Sequence, residues 1–86
     1  MRTVEIIGRN GAIDILMMIR DRDGETKSVY AEAAKVGTMT AYQRMRELED
    51  AGMITSEKLR WCNASLLHIT EKGRQVLQYA EMMERV

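Results

Sequence analysis

"TMTAYQRMRELEDAGMI", residues 38–54, has the pattern of an amphipathic helix that ends at a glycine and leads into an apolar pair. Helical residues advance by about 100° each, so Ala41, Met45 and Leu48 share one stripe, which we predict to face a core. The opposite side carries Met39, Gln43, Arg46 and Asp50. We therefore predict a helix over about 38–51, with Thr38 as its N-cap and Gly52 after its end.

Charge is uneven along this helix. Residues 38–46 hold two arginines and no acid, whereas residues 47–52 hold three acids. Acids near a helix C-terminus oppose the helix dipole, so a sequence selected for helix stability alone would favour the reverse order. The order favours a function for the polar side of the helix.

The composition is that of a small globular chain. Its 86 residues predict one domain over 1–86, and a chain this short gains stability if it shares a core with a second copy. Lys plus Arg equals Asp plus Glu at 13 each, which weighs against coating nucleic acid by bulk charge but allows a local basic patch. Cys62 is the only cysteine, and no long apolar run is present, so we expect a cytoplasmic protein without a membrane partner.

Two helices are predicted upstream. "AIDILMMI" (12–19) indicates a helix over about 11–22, capped by Asn10, closed by Gly24 and apolar almost all round. Residues 25–28 suit a loop or one brief strand, and segment 1–9 suits a strand or the start of a helix. The second helix, about 29–36, would have Ser28 as its cap and be joined to the next by "VGT".

Downstream, residues 53–60 and 65–70 alternate loosely around the connection 61–64, which is typical of a hairpin. Thr70 would then cap a last helix over 71–86. The predicted order is helix-helix-helix-hairpin-helix, a mainly α fold with a small β-hairpin. Two short helices joined by a tight turn form a helix-turn-helix, and the hairpin after them forms a wing.

Two motifs in this order resemble the winged helix-turn-helix regulators of the MarR and HxlR type. "RELEDAGMI" (46–54) matches the end of their recognition helix, and "HITEKGRQVL" (68–77) matches their closing wing strand and the start of their last helix. The resemblance covers about residues 10–83 and is greatest to small archaeal winged-helix proteins that dimerise through a C-terminal helix. It implies sequence-specific DNA binding as a homodimer and transcriptional regulation. The sequence has no Gly-rich phosphate loop, paired catalytic carboxylates or cofactor fingerprint, so we expect no enzyme activity. The wing tip "RWCN" departs from the family by lacking an arginine-rich tip.

A recognition helix places its N-terminal part in the major groove, where Gln43 can pair with adenine and Arg46 with guanine. Thr38 and Thr40 suit phosphates, while Lys58 and Arg60 on the wing either grip flanking phosphates or only discourage edge aggregation. The candidate DNA-binding residues are Thr38, Met39, Thr40, Tyr42, Gln43, Arg44, Arg46, Lys58 and Arg60.

Surplus apolar surface on the first helix and on the C-terminal helix 71–86 predicts a symmetric homodimer. In a monomer, by contrast, the last helix would pack against the core of its own chain. The candidate interface residues are Ile13, Met17, Val76, Leu77, Ala80 and Met83.

Trp61, Cys62 and His68 give weaker indications of function. Trp61 is expected to pack, either at the base of the wing or under the wing against the last helix, and the alternative is an exposed side chain that touches DNA or a partner. His68 is expected to face solvent or a second chain. Cys62 and His68 are too few ligands for a metal site in one chain, so we predict no metal, no cofactor and no evident small-molecule ligand. The alternative function is a winged-helix protein–protein interaction module that binds no DNA.

Overall fold

The computed structural model describes residues 6, 8–9 and 11–84, the last of these by its backbone only. The predicted order of helices and hairpin is confirmed, and the fold is mainly helical. The predictions for segment 1–9 as a whole, for Asn10 as a cap and for the end of the last helix at 86 lie outside the described residues. The elements are α1 Ala12–Asp21, α2 Lys27–Ala33, α3 Thr38–Asp50, β1 Ile54–Lys58, β2 Ser65–Ile69 and α4 Glu71–Glu84.

The core forms around α1. This helix contacts α2, α3, β2 and α4, so its own chain covers most of its apolar surface. Ile15, Leu16 and Ile19 are fully buried. The predicted core stripe of α3 is confirmed, since Ala41, Met45 and Leu48 are all buried.

Two predicted helix caps are wrong. Helix α2 begins at Lys27, after Thr26, and Ser28 lies inside it; α3 begins at Thr38, after Gly37. Helix α2 also ends at Ala33, three residues earlier than predicted, because the backbone of Ala34 is extended. Val36 is thereby brought against Gly11, whose added Cβ would lie only 3.0 Å from the Val36 Cγ1 atom.

The wing is a two-stranded antiparallel hairpin with Ile54 opposite Ile69 and Lys58 opposite Ser65. A hydrogen bond of 3.1 Å from Leu59 N to Ala64 O closes the loop between the strands. Residues 24–26 lie along the other side of β2, where Leu67 N donates to Glu25 O at 2.9 Å. The brief strand considered for residues 25–28 is therefore present as a short bridge.

Thr70 joins the end of α3 to the start of α4, and its predicted role as N-cap is confirmed. Its hydroxyl accepts a hydrogen bond from Gly73 N at 3.1 Å and donates one to Gly52 O at 2.7 Å. Its own N–H donates to Met53 O at 3.0 Å. Lys72 Nζ donates to Ala51 O at 2.7 Å, so α4 also satisfies a carbonyl at the C-terminal end of α3.

Replacing Gly73 with alanine should destabilise the fold, although alanine is the better helix former by about 1 kcal/mol. A Cβ at this position would lie 2.8 Å from Ile69 Cγ1 and closer still to Met53 O. We expect Gly73→Ala to lower the free energy of unfolding by about 1–3 kcal/mol, measured by urea denaturation.

Gly37→Ala is the matched control, because nothing lies within 4 Å of an added Cβ there. We expect it to change the free energy of unfolding by less than about 1 kcal/mol. Equal effects of the two substitutions would contradict the proposed steric constraint at Gly73.

Candidate nucleic-acid interface

The outward side of α3 is open. Thr38, Gln43 and Arg46 are exposed, and Met39 is 87% exposed, the most of any large apolar residue described. Thr40 is half-buried, and Tyr42 is 40% exposed at the edge of this surface. Since α1 packs on the other side of α3, these side chains point away from the core and are available to a partner.

Arg44 has a different environment from Arg46. Its side chain is 13% exposed, and its Nη1 lies 2.6 Å from Glu47 Oε1. The other carboxylate oxygen of Glu47 lies 2.8 Å from Arg9 Nη1, so one nearly buried carboxylate holds two arginines. Arg44, a candidate DNA contact from the sequence, is therefore held along the helix, where it supports α3 against residue 9.

A cleft of about 280 Å³ separates α3 from the wing, and Tyr42 lies on its α3 side. The residues on the other sides of the cleft were not among the candidates chosen from the sequence. The lysine and the hydroxyl groups at the start of α2 were a signal that could have identified some of them. Side chains of these types commonly contact DNA phosphates. The remaining lining residues are Thr26, Lys27, Ser28, Asn63, Ala64 and Ser65.

On the wing, Lys58 and Arg60 are exposed as a phosphate contact requires. The expectation that Trp61 packs at the wing base is wrong, because its side chain is 80% exposed in the loop between the strands. The wing is fastened to α3 by a hydrogen bond of 2.8 Å from Ser56 Oγ to Glu49 Oε2. This bond helps to orient the wing relative to α3.

Charge is segregated along the chain even though it sums to zero. Segments 33–46 and 58–70 together hold five of the 13 lysines and arginines and none of the 13 acidic residues. They contain the N-terminal part of α3 and the outer part of the wing. A surface of one charge sign attracts an oppositely charged partner whatever the net charge of the molecule.

The candidate dimer residues differ in how far their side chains are exposed. Leu77 is buried in the core of its own chain, at 2% exposed, and so offers no surface to a partner. Ile13, Met17 and Val76 are half-buried against the same core, and Ala80 on α4 is half-buried. Met83 is 76% exposed and lies beside two residues that the sequence reasoning did not choose, Tyr79 at 69% and Met82 at 62%.

Solved structures of other proteins share this arrangement of helices and hairpin. MarR superposes with a TM-score of 0.83 over 95% of this chain, at 19% sequence identity. The transcriptional regulator SlyA gives a TM-score of 0.79 over 95% of the chain, at 23% identity. The chain has the winged-helix fold of the MarR regulators.

These MarR-type proteins are longer, since the chain spans 61% of MarR and 58% of SlyA. A protein from Archaeoglobus fulgidus is closer in length: the match covers 98% of this chain and 94% of that one, with a TM-score of 0.73 and 16% identity. No protein-family model matches the sequence, and no curated protein matches it significantly. At these identities the likeness to MarR regulators is one of fold.

The described helices include none that is both long enough and apolar enough to span a bilayer. Among the same residues, no group of three or more His, Cys, Asp or Glu side chains is arranged to hold a metal ion.

His68 joins the wing of this MarR-type fold to the turn after α1. Its Nδ1 lies 3.0 Å from Asp23 Oδ2, and its Nε2 lies 3.4 Å from Glu57 Oε1. The other oxygen of Asp23 accepts a hydrogen bond of 3.0 Å from Ile69 N. Hydrogen bonding to Asp23, supported by Glu57, raises the pKa of His68, and hydrogen bonding to His68 lowers the pKa of Asp23.

Stability should depend on pH through this cluster. Because the pKa of His68 is raised in the folded state, its contribution is fully present below the unfolded pKa of about 6.5 and is lost as pH rises through the folded value. The pair is about one-third exposed, so we expect a contribution of about 0.2–1 kcal/mol. The free energy of unfolding of wild type and His68→Gln should differ at pH 5.5 and converge by pH 8.5, on the order of 2 units above that reference value.

Gln can hydrogen-bond without titrating, so the comparison isolates the charge of the imidazole. A gap between the two proteins that widens as pH rises would contradict the assignment.

Proposed function

We propose that this chain binds duplex DNA sequence-specifically as a homodimer and regulates transcription. The observation that carries the proposal is the exposed outward side of the N-terminal part of α3, which, like the outer part of the wing, belongs to a chain segment without acids. The fold supports it, since MarR and SlyA share the same arrangement and SlyA is named a transcriptional regulator.

In this proposal α3 lies in the major groove and enters by its N-terminal part. Gln43 and Arg46 are exposed on the outward side, three residues apart, and so lie near each other on the helix surface. Glutamine forms a bidentate pair with adenine and arginine forms one with guanine. Asp50, also on this side, lies at the far end of α3, where it is kept away from the phosphates.

Phosphate contacts would come from two directions around the cleft beside Tyr42. Lys27 and Ser28 line it from the start of α2, while Lys58 and Arg60 extend from the wing. A DNA strand passing between α3 and the wing would meet cationic or hydroxyl side chains on both sides. Such contacts fix the register of the protein on the duplex, and base contacts from α3 supply the specificity.

The homodimer would form through α4. Tyr79, Met82 and Met83 are spaced at i, i+3 and i+4, so they share one exposed side of the helix. Large apolar side chains clustered on a surface mark an interaction site more often than isolated ones do. A twofold axis at α4 would present two copies of α3 to half-sites about 34 Å apart on one face of the duplex.

DNA binding can be tested with duplexes selected from a random pool and measured by fluorescence anisotropy over a salt series. Affinity should fall as salt rises, with a log–log slope of about −0.9 for each phosphate neutralised. The double variant Gln43→Ala, Arg46→Ala should bind the selected duplex and a duplex changed only at the base pairs read by α3 equally, because the base contacts of α3 are lost.

Arg22→Ala is the control, since Arg22 is exposed but lies on the turn after α1, away from α3. It should retain the sequence preference. If wild type does not bind DNA at low salt, or binds with no salt dependence, the protein-interaction module becomes the better account.

Dimerisation can be tested by sedimentation equilibrium of the chain without DNA. Wild type should sediment as a dimer, and Met83→Glu should shift it to monomer because two buried like charges would face each other across the axis. Met39→Glu makes the same change at a similarly exposed methionine on α3 and should remain dimeric. A monomeric wild type, or dimers unaffected by Met83→Glu, would contradict the assignment of α4.

A further inference from the structure

Trp61 is the only tryptophan in the chain, and it lies in the loop between the two wing strands with 80% of its side chain exposed. The loop is short and is closed by the hydrogen bond from Leu59 N to Ala64 O. A large indole held in water on a short, closed loop contributes little to folding, so its position calls for another explanation.

The surroundings of Trp61 are apolar and cationic. It lines a groove of about 450 Å³ on the wing together with Leu59 and Leu66, both half-buried, and with the exposed Lys58 and Arg60. The one acid on this groove, Glu57, lies on β1 and is close to His68, at 3.4 Å. From residue 58 to residue 70 the chain contains no acid.

We propose that Trp61 inserts as a wedge at a base step in the minor groove beside the site read by α3, with Lys58 and Arg60 on the neighbouring phosphates. This inference rests on the proposed DNA binding and adds a second, independent determinant of specificity. Apolar side chains inserted at base steps partly unstack them, and flat aromatic rings stack on any base. The arginine-rich wing tip that is missing here is thereby replaced by an aromatic one.

Two observations favour DNA over a protein as the occupant of this surface. The charged side chains nearest the indole in sequence are both cationic, which suits a polyanion. The same loop is also continuous with the proposed DNA surface, because Asn63 and Ala64 line the cleft that Tyr42 borders on α3. A duplex lying in that cleft would run past the tip of the wing.

The wedge predicts a sequence preference at positions that α3 does not touch. Pyrimidine–purine steps such as TA and CA are the easiest to unstack and kink. We therefore expect one of these steps at the wing position of selected duplexes, and we expect this preference to survive in the Gln43→Ala, Arg46→Ala variant.

The test uses the full chain and a duplex selected for binding to wild type. Because Trp61 is the only tryptophan, fluorescence excited at wavelengths too long for the three tyrosines reports on it alone, and its emission should be quenched when the duplex is added. 2-Aminopurine placed at the wing step should brighten on binding, since its emission rises when it is unstacked. Trp61→Ala should weaken binding by about tenfold to a hundredfold and abolish the brightening, whereas Trp61→Phe should retain most of both.

Cys62→Ala is the matched control, since Cys62 is an exposed neighbour without a ring, and it should bind as wild type does. If the duplex binds with unchanged Trp61 emission and Trp61→Ala has wild-type affinity, the wedge is overturned while DNA binding stands. If Trp61→Ala instead lowers self-association and leaves the affinity of each subunit for DNA unchanged, Trp61 is a protein contact and the wedge is again overturned. Absence of any wild-type binding would overturn both proposals, and the anisotropy measurement alone identifies that case.

Discussion

The first turn of α4 lies so close to the carbonyl of Met53 that only glycine fits at position 73. The orientation of the wing relative to the C-terminal end of α3 depends on this contact. Thr70 binds two successive carbonyls at the exit of α3, those of Gly52 and Met53, and Lys72 binds the carbonyl before them. The end of α3, both ends of the wing and the start of α4 are thereby held together at one point. The wing has a fixed orientation relative to α3 because β1 begins and β2 ends at this point.

The opposite end of α3 is positioned by packing. Ala41 and Met45 lie against the core around α1, which leaves Gln43 and Arg46 on the far side. Between the two ends, Glu47 holds Arg44 and Arg9, and Glu49 holds Ser56 of the wing. Two of the three acids of "ELED", Glu47 and Glu49, thus make structural contacts within the chain, which accounts for their place near the helix C-terminus. The arginine that remains open to a partner is Arg46.

Signals carried by neighbouring residues made most of the fold predictable. The stripe of Ala41, Met45 and Leu48 depends on helical periodicity, and the cap at Thr70 depends on a bond to a residue three positions later. The cap assigned to Thr38 is wrong by one position, since α3 begins at Thr38 after Gly37. The cap assigned to Ser28 is wrong, since α2 begins after Thr26, which is bridged to Leu66 of β2, a contact that no local pattern encodes. The same limit applies to the site. Arg44 and Glu47 lie on one helix, but Arg9 reaches them from 38 residues away in sequence. The exposure of Trp61 depends on the conformation of the short loop between the wing strands. The residue type alone, a tryptophan, favoured burial. The absence of acids from 33–46 and 58–70, by contrast, was readable in the sequence but hidden by the net charge.

The fixed base of the hairpin also determines how the wing can change in length. Both strands are anchored, at Met53 and at Thr70, so added residues can only move the tip outward. Each extra cross-strand pair would lengthen the arm by about 3.4 Å, and an odd number of pairs would turn the tip side chains to the other face. Insertions in steps of two pairs would therefore lengthen the wing by about 7 Å and keep the tip side chains on the same face of the hairpin. This length corresponds to roughly two base pairs of duplex rise. In the proposed DNA complex, a change in wing length alone would shift the position that the wing contacts, without any change in α3.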